Sequence, residues 1–273
     1  DLGWWFRGNG LSRQICTGAA GVARLWYSLK KRNVPIWASS PMQELITEDG
    51  KVVGALVIRN GKPLRVQARK GVVLAAGGFE RNQQMREQYL PAPTSTDWSG
   101  GVEGNTGDAI QQGIALGAAT RLMDGAWWCT TVSVPGEPAP RLSVMEKSYP
   151  GSCIVNLRGE RFANESQNYM AFQKDLYKQH SEASPCSPMY QVFDARFRRD
   201  YIVGPLMTAS LKPDWTIPKE WFETKLVGKA ATIRELAEQL GIDAENLERT
   251  VSKMNAYAKT GKDEDFQRGD SAY

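Results

Sequence analysis

Residues 159–172 read GERFANESQNYMAF and set a tyrosine, Tyr169, shortly after the Asn164-Glu165 pair. A phenol is both a proton donor and, once ionised, a base. Free tyrosine ionises near pH 10, so acid/base work at pH 7 asks for about 4 kcal/mol of help. If Ser166 caps the helix that follows, Tyr169 stands in its first turn, where the helix dipole supplies only about 0.3–1 kcal/mol. A further donor is then required. The plainer alternative is a half-buried aromatic at a helix start. Two other stretches carry chemical potential. Gly77-Gly78 follow the apolar run GVVLAA of residues 71–76, and glycine pairs admit positive φ and close approach of a ligand or another backbone. Asn105-Thr106-Gly107-Asp108 open a helical pattern, and a helix N-terminus is an anion site. A strand-to-helix turn and an ordinary helix cap would use the same residues.

The elements that must position these groups are readable in outline. From Leu11 to Arg32, apolar Leu11, Ile15, Ala19, Val22, Trp26 and Leu29 recur at helical spacing, and Asn33 and Pro35 end the helix. VPIWAS, MQELIT, KVVGALVI and PLRVQA read as strands, the last three joined by Asp49-Gly50 and Asn60-Gly61, the turn pairs of two-residue hairpins. GVVLAA reads as a fully buried strand, followed by a helix over residues 80–89. A turn-rich loop covers residues 91–105, long enough to suggest function. A helix follows in TGDAIQQGIALGAA, then an irregular stretch over residues 123–150 that includes Trp127 and Trp128. SCIVNL and MYQVFD are further strands, with a helix over residues 166–179 between them. Thr232 and Glu235 form a capping box for one closing helix, and Asp243 caps the next, which carries Leu247, Val251, Met254 and Ala258 on one face.

The chain has 273 residues and a net charge of +4, from 34 basic and 30 acidic side chains. Its basic residues are interspersed. Lys30, Lys31 and Arg32 cluster at a helix end, where cations belong, so no nucleic-acid surface is expected. No apolar run is long enough to span a bilayer. Cys16, Cys129, Cys153 and Cys186 show no paired spacing, which favours reduced thiols in a cytoplasmic protein over disulfides or a metal site. His180, beside Ser181 and Glu182, reads as a solvated residue at a helix end. The segments DLGWWFRGNG and FQRGDSAY read as cuts through a longer polypeptide. The dinucleotide fingerprint G-x-G-x-x-G is missing: GNGLSR, the nearest stretch, has Arg13 at the third glycine and no strand before it.

Taken in order, PMQELITEDGKVVGALV, GVVLAAGGFE, GNTGDAIQQGIALGA, PGSCIVNLRGERFANES and FQRGDSAY resemble the flavoprotein family of fumarate reductases, succinate dehydrogenases and 3-ketosteroid dehydrogenases. The resemblance implies an α/β plus α+β chain. Residues 1–124 would be a partial FAD-binding domain lacking its G-x-G-x-x-G segment, and residues 125–273 the cap, or substrate, domain. It also implies FAD as cofactor in the full-length enzyme, with Pro41 and Met42 against the adenine. Ala76, Gly77 and Gly78 would lie along the ribose and pyrophosphate, and Asn105, Thr106, Gly107 and Asp108 near the flavin. Fumarate reductases have arginine where Tyr169 stands, suited to clamping dicarboxylates; the 3-ketosteroid dehydrogenases have tyrosine. The resemblance therefore implies a steroid substrate, with Tyr169 as the base for the C2 proton and Ser152 with Tyr169 as substrate-binding residues. Lys147 departs from the arginine that the family pattern leads one to expect. The Δ1 or Δ4 position of desaturation stays open, as do a fumarate reductase-like flavoprotein and a non-catalytic cap module that binds no FAD alone. A homodimer through exposed apolar surface is a further expectation.

Overall fold

A computed structural model describes residues 17–271. Leu11, Ile15, Cys16 and the GNGLSR stretch lie outside the described residues. The chain divides into two compact units, residues 1–74 and residues 75–273. The sequence boundary near Asp124, drawn between a cofactor-binding part and a cap, falls inside the second unit.

The first unit holds helix α1 (Thr17–Lys31) and an antiparallel meander of β1 (Met42–Glu48), β2 (Lys51–Arg59) and β3 (Lys62–Gln67). Asn33, at φ 54°, turns the chain away from α1 as its sequence position suggests. Both hairpin turns place two successive residues at positive φ: Asp49 at 49° with Gly50 at 73°, and Asn60 at 51° with Gly61 at 73°. That left-handed pair matches the twist of the flanking strands, which is why Asp-Gly and Asn-Gly fix the register here. Two expected strands do not form. VPIWAS is irregular, and GVVLAA has no strand partner among the described residues, with Val73 91% exposed. A doubly buried strand exists only when neighbours on both edges take its backbone N–H and C=O groups.

The second unit is built on a two-stranded antiparallel sheet of β6 (Ser152–Val155) and β7 (Tyr190–Phe193). All four residues of β6 are buried, and alternation sends them to opposite faces. Cys153, Val155 and Val192 pack with Ala237 and Leu240 of α7 (Ile233–Leu240) and Leu247 of α8 (Ala244–Thr260). Ile154 points the other way, into Phe162, Ala163, Cys186, and Phe172 and Leu176 of α4 (Tyr169–Gln179). Each large side chain buried this way contributes about 1.5–3 kcal/mol. The Thr232–Glu235 capping box is complete, Gly241 closes α7 at φ 76°, and Asp243 caps α8. Earlier in the unit stand α2 (Gln83–Tyr89), α3 (Asp108–Ala115) and the short pair β4 (Thr131–Val132) with β5 (Arg141–Leu142). Two short helices, α5 (Ala195–Asp200) and α6 (Lys219–Glu223), escaped sequence reading. They are too brief to show a period, although the Asp194 carboxylate caps α5 by accepting from Phe197 N at 2.9 Å.

Candidate active site

Tyr169 is the first residue of α4. Asn168, not Ser166, is the N-cap: its side-chain oxygen accepts from Ala171 N at 3.0 Å. The Ser166 hydroxyl accepts instead from Arg268 Nε at 3.0 Å. The correction leaves Tyr169 in the first turn, one residue from the cap. Its hydroxyl oxygen accepts a 2.7 Å hydrogen bond from Trp127 Nε1, a contact across 42 positions that no local sequence signal announces.

The periodicity of α4 explains how that contact is held. Tyr169, Gln173 and Tyr177 fall four residues apart, on one helical face. Each touches the segment 127–130: Tyr169 meets Trp127, Gln173 Nε2 donates to Thr130 Oγ1 at 2.9 Å, and Tyr177 meets Trp128 edge-on at 5.0 Å. Phe172 and Leu176, on another face, are buried in the core. One side of α4 therefore anchors the helix, and another presents polar groups to the irregular 123–150 segment.

The turn before α4 rests on a buried ionic cluster. Arg161 donates to both carboxylate oxygens of Glu165 at 2.8 and 2.7 Å and to both of Asp263 at 3.1 and 2.8 Å. Arg268 donates to the carbonyls of Ser152 at 2.6 Å and Tyr149 at 2.9 Å. Lys147, 2% exposed, donates to Ser148 Oγ at 3.2 Å, to Glu165 O at 2.7 Å and to Gln167 O. Burial pulls its ammonium down to about 8, with Glu165 opposing the shift and Arg268 adding to it.

The two candidate cofactor segments meet. Gly107 N donates to Gly78 O at 3.0 Å, Arg81 N to Asn105 O at 3.0 Å, and Asn82 Nδ2 to Thr106 O at 2.9 Å. Gly107 takes φ 79° as the cap of α3, and a Cβ there would overlap the Met85 sulfur and the Phe79 Cβ. Gly77 takes φ 83°, and its Cβ would overlap the Asn105 amide. Ala76 and Gly77 are exposed. Thr106 Oγ1 donates to Asp108 Oδ1 at 2.6 Å. Pro41 and Met42 belong to the first unit, where Pro41 O accepts from Ile58 N at 2.9 Å and Met42 opens β1.

Gly78 and Tyr169 line one cavity of about 1430 Å³. Its wall is largely apolar and aromatic, with Trp98, Trp127, Trp128, Val134, Leu142 and Met189 among its members. Lys147, Gln173 and Tyr177 supply polar groups. Burial pushes the Cys129 thiol and the Tyr177 phenol up, although Arg86 partly offsets the second shift, so both stay neutral at pH 7. Ser152 is not brought to Tyr169. It lines a second cavity of about 1120 Å³, and its hydroxyl is occupied by Tyr149 O at 3.1 Å and Gln191 Nε2 at 2.9 Å. His180 is not simply solvated: its Nδ1 accepts from Cys186 N at 3.1 Å and closes the loop after α4.

Comparison with known proteins places this geometry in a family. The chain is 39% identical over 265 residues to a 3-oxosteroid 1-dehydrogenase of Mycolicibacterium smegmatis, covering 94% of this chain and 45% of the relative. It is 33% identical over 270 residues to a 4-oxocyclohexanecarboxylate 2-dehydrogenase of Sinomonas cyclohexanicum, covering 95% and 44%. The crystal structure of a 3-ketosteroid delta1-dehydrogenase from Sterolibacterium denitrificans, in complex with 1,4-androstadiene-3,17-dione, superposes with a TM-score of 0.89 at 42% identity, over 98% of this chain and 48% of that one. A flavocytochrome c3 fumarate reductase shares the fold, with a TM-score of 0.56 at 24% identity, over 94% and 42%. The chain thus spans about half the length of the curated relatives it matches. The FAD binding domain model matches residues 2–272, and the chain belongs to that family.

Proposed function

We propose that this chain is part of an FAD-dependent 3-oxosteroid 1-dehydrogenase, in which Tyr169 removes the C2 proton of the steroid A ring. The observation that carries the reading is the shared cavity: Tyr169 and Gly78 line one largely apolar space. Residues 1–124 would belong to the cofactor-binding part and residues 125–273 to the cap.

The residues present fit one end of the cofactor. Gly77 and Gly78 offer backbone without Cβ atoms, exposed at Ala76 and Gly77, beside the N-terminus of α3. The pyrophosphate fingerprint is absent from the sequence, so the isolated chain is expected to hold no FAD. Bound flavin supplies the hydride acceptor for the C1 hydrogen. The chain's own residues do the rest. The 3-keto group acidifies C2–H, and the Tyr169 oxygen, in its ionised form, takes that proton while the C2–H electron pair forms the C1–C2 double bond and the C1 hydrogen departs with its own pair. Trp127, donating to the same oxygen, orients the phenol. The apolar and aromatic lining offers a surface for a flat, apolar ring system to pack against.

The relative acting on 4-oxocyclohexanecarboxylate supports a second reading with the same proton chemistry on a smaller ketone. The largely apolar lining favours the uncharged steroid over a carboxylate. Steady-state turnover of the full-length enzyme, with a 3-ketosteroid or a 4-oxocyclohexane acid and an artificial electron acceptor, decides between them. Tyr169→Phe should lower steroid turnover by roughly 10² to 10⁴, the range of a positioned acid/base, at unchanged flavin content. A variant keeping more than about a tenth of wild-type turnover reduces Tyr169 to packing, because a positioned acid/base is worth at least ~10².

A further inference from the structure

A buried cation needs a reason, because desolvating an ammonium is costly unless its partners repay it. Among the described residues, Lys147 is one of the largest fully buried side chains, and its ammonium forms no salt bridge there. The nearby carboxylates are committed elsewhere, Glu165 to Arg161 and Arg268, and Asp263 to Arg161. Glu146, on the same turn as Lys147, accepts from Ser143 and Met145. Three cations (Lys147, Arg161, Arg268) thus face two carboxylates (Glu165, Asp263), leaving one positive charge in excess beneath α4.

The donors of Lys147 go to the turn that delivers Tyr169. The carbonyls of Glu165 and Gln167 flank Ser166, and both converge on Nζ. Gln167 is further tied to α4 through Asp175 Oδ2 at 2.9 Å. Nζ also lies over the Phe172 ring, 5.3 Å from its centroid, one turn beyond Tyr169. Lys147 therefore grips the chain on both sides of Tyr169 and lines the same cavity.

We propose that Lys147 is a positioning residue for Tyr169, fixing the Glu165–Gln167 turn so that the phenol enters the cavity at a set angle. The proposal rests on the reading of Tyr169 as the base. Burial makes the device sensitive to pH. An ammonium held near pH 8 loses its charge and one of its three donors just above neutrality, which weakens its hold on the Glu165 and Gln167 carbonyls. Turnover of the wild type should fall as pH rises through about 8. Arginine at this position stays charged over the whole range.

The test uses the flavin-loaded full-length enzyme with a 3-ketosteroid, comparing wild type, Lys147→Met, Lys147→Arg and Tyr169→Phe between pH 6 and pH 10. Lys147→Met should lose about 10- to 100-fold in kcat, the scale of a misplaced catalytic group, with KM and flavin content unchanged. Lys147→Arg should recover most of that kcat and lack the alkaline fall. If Lys147→Met does not fold, the Lys147→Arg profile alone decides. An alkaline fall that persists in Lys147→Arg overturns the proposal, as does a fully active Lys147→Met beside an inactive Tyr169→Phe. An active Tyr169→Phe instead sinks the reading of Tyr169 itself, so the two failures are distinguishable.

Discussion

At the scale of single residues, the pair Trp127 and Tyr169 separates packing from chemistry. Phenylalanine at either position keeps an aromatic ring against the cavity, so stability should change by no more than about 1 kcal/mol, the usual net worth of one hydrogen bond. The kinetic effects should differ. On the proposed reading, Tyr169→Phe deletes the proton acceptor. Trp127→Phe keeps it and removes only the 2.7 Å donor to its oxygen. A hydrogen bond to a charged group is worth roughly 1.5–3 kcal/mol, so Trp127→Phe should cost about 10- to 100-fold in kcat, with little change in KM. Equal kcat values for Trp127→Phe and wild type would show that the indole serves only as wall. The sequence singles out Tyr169 through the GERFANE resemblance. It does not single out Trp127, because a side-chain contact across 42 positions leaves no local spacing to read.

Secondary elements were legible where local chemistry decides them and illegible where partners do. Asp49-Gly50 and Asn60-Gly61 dictate their hairpins through backbone φ alone, and Thr232 with Glu235 dictates a helix start through two hydrogen bonds. GVVLAA misled for the opposite reason: its apolar run is a strand only beside other strands, and none of the described ones pairs with it. The cap of α4 shows the same contrast at finer grain. Ser166 and Asn168 are both good cap residues, but Arg268, 102 positions away, engages Ser166 and leaves the role to Asn168. The juxtaposition of Gly77-Gly78 with Asn105–Asp108 was not legible at all, because the bonds that join them cross 24 to 29 positions; the glycine pair alone fitted an ordinary turn equally well. The face of α4 that carries Tyr169, Gln173 and Tyr177 gives an element-scale test. Gln173→Ala loosens the 127–130 segment on the helix by deleting one of their three contacts, the bond to Thr130. Its stability cost should be about 1 kcal/mol. Its kcat should fall by about tenfold or more, since misplacing a group by ~1 Å can cost up to 10²-fold. Chemical denaturation and steady-state turnover on the same preparation check both halves, and unchanged turnover would break the link between α4 and the Trp127 segment.

For the whole molecule, the ionic cluster does what the thin two-stranded sheet cannot. Arg161 and Asp263 stand 102 positions apart, and their paired hydrogen bonds tie the GERFANE turn to the segment after α8. Burial works against a charged Asp263, but the Arg161 guanidinium and the backbone N–H groups of Arg268 and Phe266 outweigh it and hold the carboxyl below its usual value. A carboxyl depressed in the folded state stabilises the fold above its unfolded pKa, about 3.9, and loses that contribution as pH falls through the folded value. Unfolding free energy should therefore show no contribution to pH dependence from this group between pH 7 and 5, and an acid loss beginning below about pH 4. Asp263→Asn should unfold more readily already at pH 7, by roughly 3–5 kcal/mol, because it leaves a buried guanidinium short of a carboxylate. The variant should also show a shallower decline in acid, since the group that titrates is gone. Urea unfolding of wild type and Asp263→Asn across pH 3–7 measures both quantities. Parallel curves, offset but equally steep below pH 4, would mean that the acid sensitivity arises elsewhere. The clamp would then hold the two segments together without setting the pH at which they part.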